Sequence, residues 1–374
     1  MSFIIVYPSY KPNEASTNRL KAFLKAFDEF GIFGKMVFVY PDKNSNRLEE
    51  TYRNIEVTYL WDKYKCRNKI YKYIRSFFDA KRFSKMLHQG DRVFLIDASA
   101  YLSYFVEKKG LLVYQERTEH PDVNPLEFGF LQKKYLKACR HLSGMFTIST
   151  ALKKVFQDLG VKQVVVVNMT VDIGRFIELE KQVQECRYIA YCGTASNNKD
   201  GVDRLIKAFS IVHKKYVDMK LYIIGKAPTK GDESGNLKLV DDLELNDAVV
   251  FTGIVPAKKM PQLLKNAELL ALARPDSLQA QCGFPTKLGE YLLTENPVVV
   301  TKVGDIPLFL EDGVSALLVE PDDIEGFANK MIWALDYPDE AAIIGKEGSK
   351  VALKEFNYKT EAKKIVDVIF KEQS

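Results

Sequence analysis

The sequence predicts an α/β protein of two doubly wound halves, each a parallel sheet covered by helices. Three observations carry this expectation. Short apolar runs rich in Val, Ile, Phe and Tyr alternate with longer stretches of helical period along the whole chain, which is the pattern of βαβ units. The series lapses over residues 168–186, where no strand or long helix is legible, and then starts afresh. Finally, 374 residues with 47% apolar and 28% charged side chains supply two cores of ordinary soluble composition.

In chain order, the first half offers strands at 3–7, 35–40, 55–60, 92–96, 111–114, 144–148 and 163–167. Leu20, Phe23, Leu24 and Phe27 repeat at helix spacing after the first strand, and Leu152, Val155, Phe156 and Leu159 do so later. The second half offers strands at 187–192, 220–224, 248–252, 268–273, 297–301 and 316–319. Helices are expected near 201–213 and 257–266, after Pro285, and near 322–335, 339–354 and 358–371. Domain bounds of 1–168 and 169–354 follow, with 355–374 as a terminal helix. The polar stretch 229–236 reads as a mobile loop. Ligands of open parallel sheets bind beyond the carboxyl ends of the strands, so residues just after each strand are the candidates for chemistry.

Composition removes several functions. No apolar run approaches the ~20 residues of a membrane span, and the first eight residues lack a basic region ahead of their short apolar stretch, so neither a span nor a secretory leader is expected. Cys66, Cys139, Cys186, Cys192 and Cys282 are scattered and odd in number, which fits a reducing cytoplasm better than a disulfide framework or a zinc site. There is no Gly-x-Gly-x-x-Gly after the first strand, no phosphate-binding Gly-x-x-x-x-Gly-Lys-Ser/Thr, no Gly-x-Ser-x-Gly and no Asp-x-Asp. Dinucleotide redox chemistry, P-loop hydrolysis and metal-dependent transfer all lose ground, and no metal site is expected. Charge is uneven: residues 1–168 hold 28 basic against 17 acidic side chains, the remainder 26 against 32. The basic half would attract an anionic surface or ligand.

The densest constellation runs from Arg274 to Leu292. Gly283 permits close backbone approach, Pro285 suits a first helical position, and the amides of that turn form an anion site with the helix dipole. Lys287 in the first turn opposes the dipole by ~0.3–1 kcal/mol unless an anion sits between them, and a diphosphate would supply it. Arg274 ends the preceding strand, and Glu290 could grip the paired hydroxyls of a ribose. A second phosphate candidate is the turn-rich stretch from Gly193 and Thr194 to Lys199 and Gly201. On the first half, Glu116, Arg117, Glu119 and His120 form a polar cluster after a strand, suited to orienting a sugar or acceptor hydroxyl. Asn13, Ser16 and Thr17 offer further acceptor-side contacts, with Ser16 or Thr17 alternatively capping the next helix. Residues 63–87 carry nine basic side chains against one acid, Asp79, interleaved with aromatics. Such a helix either lies on an anionic membrane or packs Ile70, Ile74, Phe77 and Phe78 on the sheet with its lysines in water. RNA binding has no accompanying motif, so no nucleic-acid partner is expected.

Four segments in order, namely 193–209, Phe251-Thr252-Gly253-Ile254-Val255-Pro256, 283–292 and 296–301, together resemble the retaining GT-B glycosyltransferases of family 4. The stretch 168–176 resembles that family's entry into its second domain. The resemblance implies two Rossmann-like doubly wound domains facing a central cleft, with the acceptor side first, the donor side second, and a terminal helix crossing back. By position it implies that Lys199 holds the donor diphosphate, Glu290 the ribose, and the backbone after Gly253, including Ile254, the base. Gly283, Phe284, Pro285, Thr286 and Lys287 would face phosphate and sugar, and His120 stands near the family's catalytic-site histidine or aspartate. Two departures stand out. The first of the family's two glutamates falls on Cys282, with Gln281 and Gln279 as stand-ins, and Thr194 replaces the usual arginine, a role left to Arg274.

The implied activity is metal-independent transfer of a sugar from a nucleoside-diphosphate sugar, a co-substrate rather than a cofactor, to a glycan or lipid-linked acceptor in cell-surface polysaccharide or glycoconjugate synthesis. The expected location is the cytoplasm, peripheral on the inner face of the membrane through residues 63–87. The alternatives are a sugar-nucleotide epimerase and a silent nucleotide-sugar-binding subunit.

Overall fold

The computed structural model describes residues 2–12, 14–64, 69–96, 100–123, 129–176 and 178–371. They form two units, residues 1–168 with 358–374, and residues 169–357.

The first unit holds a seven-stranded sheet, β1 (Phe3–Ser9), β2 (Gly34–Tyr40), β3 (Ile55–Tyr59), β4 (Arg92–Ile96), β5 (Leu112–Arg117), β6 (Gly144–Thr147) and β7 (Val164–Val166), in the order β3-β2-β1-β4-β5-β6-β7. Every pairing is parallel. Apolar β-branched and aromatic residues on both faces of these strands suit a sheet buried by helices on each side. Helix Ala15–Glu29 lays Leu20, Phe23, Leu24 and Phe27 on β1 and β2, joined by Ala362, Ile365 and Ile369 of helix Tyr358–Phe370 in the same core. Glu361 of that last helix is buried and accepts the Asn168 amide at 2.6 Å, fastening the point where the chain leaves this unit.

The second unit holds β8 (Tyr188–Cys192), β9 (Lys220–Ile224), β10 (Val249–Gly253), β11 (Leu269–Leu272), β12 (Val298–Thr301) and β13 (Leu317–Val319), ordered β10-β9-β8-β11-β12-β13. This is the 3-2-1-4-5-6 order of a dinucleotide-binding sheet, and it reverses between β8 and β11. Helix Val202–Lys215 buries Val202, Leu205, Ile206, Phe209 and Val212 along one stripe, with Asp203 in its first turn and Lys214 and Lys215 in its last, where each sign favours the dipole.

Three expectations need correction. Residues 229–236 are not a loop: Thr229 caps a helix, Lys230–Asp242, by accepting the Asp232 amide, Asp232 and Glu233 favour its first turn, and Asn236 and Val240 are buried. Strand β5 runs on to Arg117, so Glu116 and Arg117 lie within the sheet rather than after it. Pairing with β4 and β6 extends that far, and Arg19 neutralises the buried Glu116 at 2.9 Å. Neither Ser16 nor Thr17 caps a helix, because Glu14 occupies the cap position and both lie in the first turn.

Ile365 is fully buried. Ile365→Ala is expected to lower the unfolding free energy of the first unit by about 2–5 kcal/mol, read from urea melts; an unchanged midpoint would place helix Tyr358–Phe370 outside that core.

Candidate active site

Three adjacent strands of the second unit end on glycines. Gly193 follows β8, Gly225 follows β9 and Gly253 ends β10, each with positive φ. A Cβ on Gly225 would stand 1.9 Å from the Gly193 carbonyl oxygen, and one on Gly193 would stand 2.0 Å from Lys287 Nζ. Only glycine lets these turns and the lysine occupy the same place.

Lys287 lies across that turn into a buried cluster. Asp200, 2% exposed, ends the short helix Asn197–Asp200 that Ser196 caps. One of its oxygens accepts from Lys287 Nζ and from the Tyr191 hydroxyl, the latter at 2.7 Å. Arg274, buried just beyond β11, approaches the other with Nε at 3.9 Å and donates from Nε to the Lys199 carbonyl at 3.2 Å. Lys287 also sits 4.6 Å from the centre of the Tyr191 ring. Burial pushes the Asp200 carboxyl up, but Lys287 and Arg274 outweigh it and hold the group below the ordinary carboxylate range. Burial lowers both Lys287 and Arg274, with Asp200 opposing. The cluster therefore holds two cations around one anion, and Arg274 Nη1 is buried with no hydrogen-bond partner. Strands β8 and β11 flank the reversal of strand order, so the surplus positive charge lies where such sheets bind anions.

Helix Thr286–Leu293 starts beside it, with Pro285 in the cap position rather than inside the first turn, no side-chain cap and no acid in its first turn. Its leading amides are thus uncapped by side chains. One turn on, an oxygen of Glu290 is taken by Arg175, from the short 3-10 turn Ile173–Arg175 that Asp172 caps. Burial raises the Glu290 carboxyl, and Arg175 opposes that rise. Arg175 was legible only as part of the 168–176 stretch; its partner lies 115 residues away.

The remaining donor-side residues divide by what they touch. Gln281 spans Asp276, at 2.6 Å, and the Gly304 amide, at 3.2 Å, and so braces two loops. Cys282 is buried and its thiol is raised by burial. Phe284 packs on Phe309 and Phe356 at 5.6 and 5.5 Å, a structural contact. Gly283 comes so near the Gln279 carbonyl that a Cβ would stand 2.8 Å away. Thr194 is exposed, and its carbonyl accepts the Tyr191 hydroxyl at 2.6 Å. Lys199 is half-buried, and Thr286 likewise. Beyond Gly225 and Gly253 opens a cavity of about 400 Å³, lined by Ala195, Lys226, Glu233, Asn236, Phe251 and Ile254 among others.

In the first unit, Arg19 ties Glu116 to the Val167 and Asn168 carbonyls, the former at 2.9 Å, so Glu116 is occupied in holding the fold. Arg117 is buried against the Tyr135 ring. His120 accepts the Asp122 amide on Nδ1 at 3.1 Å within a turn, which leaves the Nε2 side to carry its proton. Glu119 is half-buried, Ser16 is half-buried and Thr17 is fully buried. Asn13 lies outside the described residues.

Residues 186–337 match the model of the family described as glycosyl transferases group 1. The MMP alpha-(1->4)-mannosyltransferase of Mycolicibacterium hassiacum is 26% identical over 64% of this chain and 57% of its own. The GDP-mannose-dependent alpha-(1-6)-phosphatidylinositol monomannoside mannosyltransferase of Mycolicibacterium smegmatis is 24% identical over 49% of this chain and 48% of its own. The chain thus spans about half the length of these curated relatives. Among solved structures, Anabaena HepE in complex with UDP and glucose superposes with a TM-score of 0.75 at 16% identity, covering 99% of this chain and 100% of that one. Sucrose-phosphate synthase of Thermosynechococcus elongatus gives 0.74 at 14% identity, covering 98% of each. The chain has the GT-B fold, and residues 186–337 of its second unit are similar to glycosyl transferases group 1.

Lys287→Met leaves the buried Asp200 with Arg274 as its only nearby cation and is expected to cost about 3–5 kcal/mol near neutral pH. Because the folded Asp200 titrates below its unfolded value, the stability it contributes is complete above ~4 and disappears as pH falls through the lowered value. The gap in urea midpoint between wild type and variant should therefore narrow in acid. A gap that stays constant would mean that Asp200 is not charged in the fold.

Proposed function

We propose that this chain is a retaining, metal-independent glycosyltransferase that moves a sugar from a nucleoside-diphosphate sugar to a hydroxyl of a glycan or lipid-linked acceptor. The observation that carries this reading is the buried cluster of Asp200, Lys287 and Arg274, whose surplus positive charge and partnerless guanidinium nitrogen lie beside an uncapped helix start. A diphosphate fits that arrangement because its charge answers both cations and its oxygens accept from the leading amides.

As the bond between the sugar's anomeric carbon and the diphosphate oxygen breaks, the electron pair passes to that oxygen. Charge grows beside Lys287 and Arg274, and cations already held in place by Asp200 stabilise it with little reorganisation. The acceptor hydroxyl attacks the same face, and its proton goes to the departing diphosphate. No protein nucleophile is required. The Glu290 oxygen not taken by Arg175 accepts from the ribose hydroxyls. The activities named for the two mannosyltransferase relatives support a hexosyl group such as mannose as the transferred sugar.

Lys287→Ala and Arg274→Gln should each lower kcat by about 10²-fold or more in a coupled assay for nucleoside diphosphate release; wild-type turnover by both would sink the assignment. Donor incubated without acceptor should stay unchanged by NMR, since a new sugar nucleotide formed from donor alone would select epimerase chemistry.

An anionic membrane supplies the acceptor in this reading. Helix Lys69–Ser84 exposes Ile74, Phe77 and Phe78, contrary to the alternative in which they pack on the sheet. Ala80 and Phe83 are buried instead, while Arg75 and Arg82 flank the Trp61 ring at 4.1 Å each. Lys81 and Lys85 are exposed beside the apolar stripe, and residues 65–68 of the basic segment lie outside the described residues. No helix among the described residues is long and apolar enough to cross a membrane. Sedimentation with phosphatidylglycerol vesicles at low salt should fall several-fold in Lys81→Glu/Lys85→Glu, at ~1 kcal/mol per basic residue; equal sedimentation would remove the membrane.

A further inference from the structure

The cavity beyond Gly225 and Gly253 contains a buried side chain left unsatisfied at both ends, unlike any other among the described residues of the second unit. Asn236 is 1% exposed, lines the cavity, and has no hydrogen-bond partner on either its amide nitrogen or its amide oxygen. A buried primary amide left empty on both ends costs free energy that the fold could avoid with leucine, so its presence points to a ligand. One turn earlier on the same helix face stands Glu233, exposed and lining the same cavity. Lys226 enters from the end of β9, and Phe251 and Ile254 supply a partly exposed apolar wall. The volume, about 400 Å³, lies in the range of a small-molecule pocket.

An apolar wall together with a carboxylate, an amide and an ammonium group in one cavity describes a site for a heteroaromatic ring with a mixed polar edge. The carboxylate discriminates. An ionised carboxylate only accepts, and its two oxygens match two N–H groups side by side. Guanine presents that pair, N1–H and N2–H, next to the O6 acceptor. Uracil presents one N–H between two carbonyl oxygens, which the carboxylate would repel, and adenine presents a single amino group beside a ring acceptor.

We propose that Glu233 and Asn236 read the base of the donor and select a guanine nucleotide, Glu233 accepting from N1–H and N2–H while the Asn236 amide serves O6. Phe251 stacks on the ring. The assignment rests on the nucleotide-site reading above and adds to it the base and two specificity-determining residues. Lys226 is placed to donate to an acceptor atom of the same ring.

The test is calorimetric titration of the full chain with GDP, UDP and ADP. Wild type should bind GDP at least tenfold more tightly than UDP or ADP. Glu233→Gln should weaken GDP about tenfold and change UDP by no more than twofold. Asn236→Leu should weaken GDP while raising the melting temperature of the free protein, a combination that a merely structural asparagine would not give. Tighter binding of UDP than of GDP, equal losses of both in Glu233→Gln, or unchanged GDP affinity in Asn236→Leu would each overturn the base assignment and leave the transferase reading standing. Binding of none of the three would overturn both.

Discussion

One buried carboxylate organises the second unit's functional edge. Asp200 is what allows a lysine and an arginine to share a nearly dry space at the carboxyl ends of β8 and β11. Two cations placed together without it would repel, and the lysine would shed its proton or both would give up their burial. With it, Lys287 can cross the first turn of a helix whose dipole disfavours it and lie over Gly193, and Arg274 can leave one nitrogen unspent. The absence of side chains at Gly193 and Gly225 follows from the same requirement: the space a Cβ would fill is taken by the lysine and by neighbouring backbone.

The polar groups of this edge therefore fall into two kinds. Tyr191 is spent on Asp200, Ser196 on the Lys199 amide, and Gln281 on Asp276 and the Gly304 amide, and they fix geometry. Arg274 Nη1 and the Asn236 amide are unspent although buried. Evolution tolerates unmet hydrogen-bonding capacity chiefly where something else meets it. Phe284 shows the converse: its position in a glycine-proline turn suggested ligand contact, yet its ring is committed to Phe309 and Phe356.

The strands were legible because β-branched and aromatic runs have a strong local signal, and each of those expected has a counterpart within one to three residues. Helix Lys230–Asp242 was not, because Lys-Gly-Asp-Glu-Ser-Gly-Asn has the composition of a loop; capping by Thr229 and burial of Asn236 decide the matter, and the second depends on tertiary context. The same holds at β5, where charged residues ended the apparent strand too soon because the Arg19 that neutralises Glu116 lies 97 residues away. Lys287 and Arg274 could be picked out by charge and turn chemistry. Asp200, Tyr191 and Arg175 could not, since what gives them a role is a partner distant in sequence.

The first unit is not one continuous stretch of chain. Its core closes only when Ala362, Ile365 and Ile369 cover the helix Ala15–Glu29, and Glu361 then caps the exit at Asn168. During synthesis, the seven-stranded sheet must wait with an apolar flank uncovered while almost two hundred further residues are made, as about 190 positions separate those two residues. Ribosome-bound chains of this protein should accordingly depend on holding chaperones to a degree that the finished molecule does not.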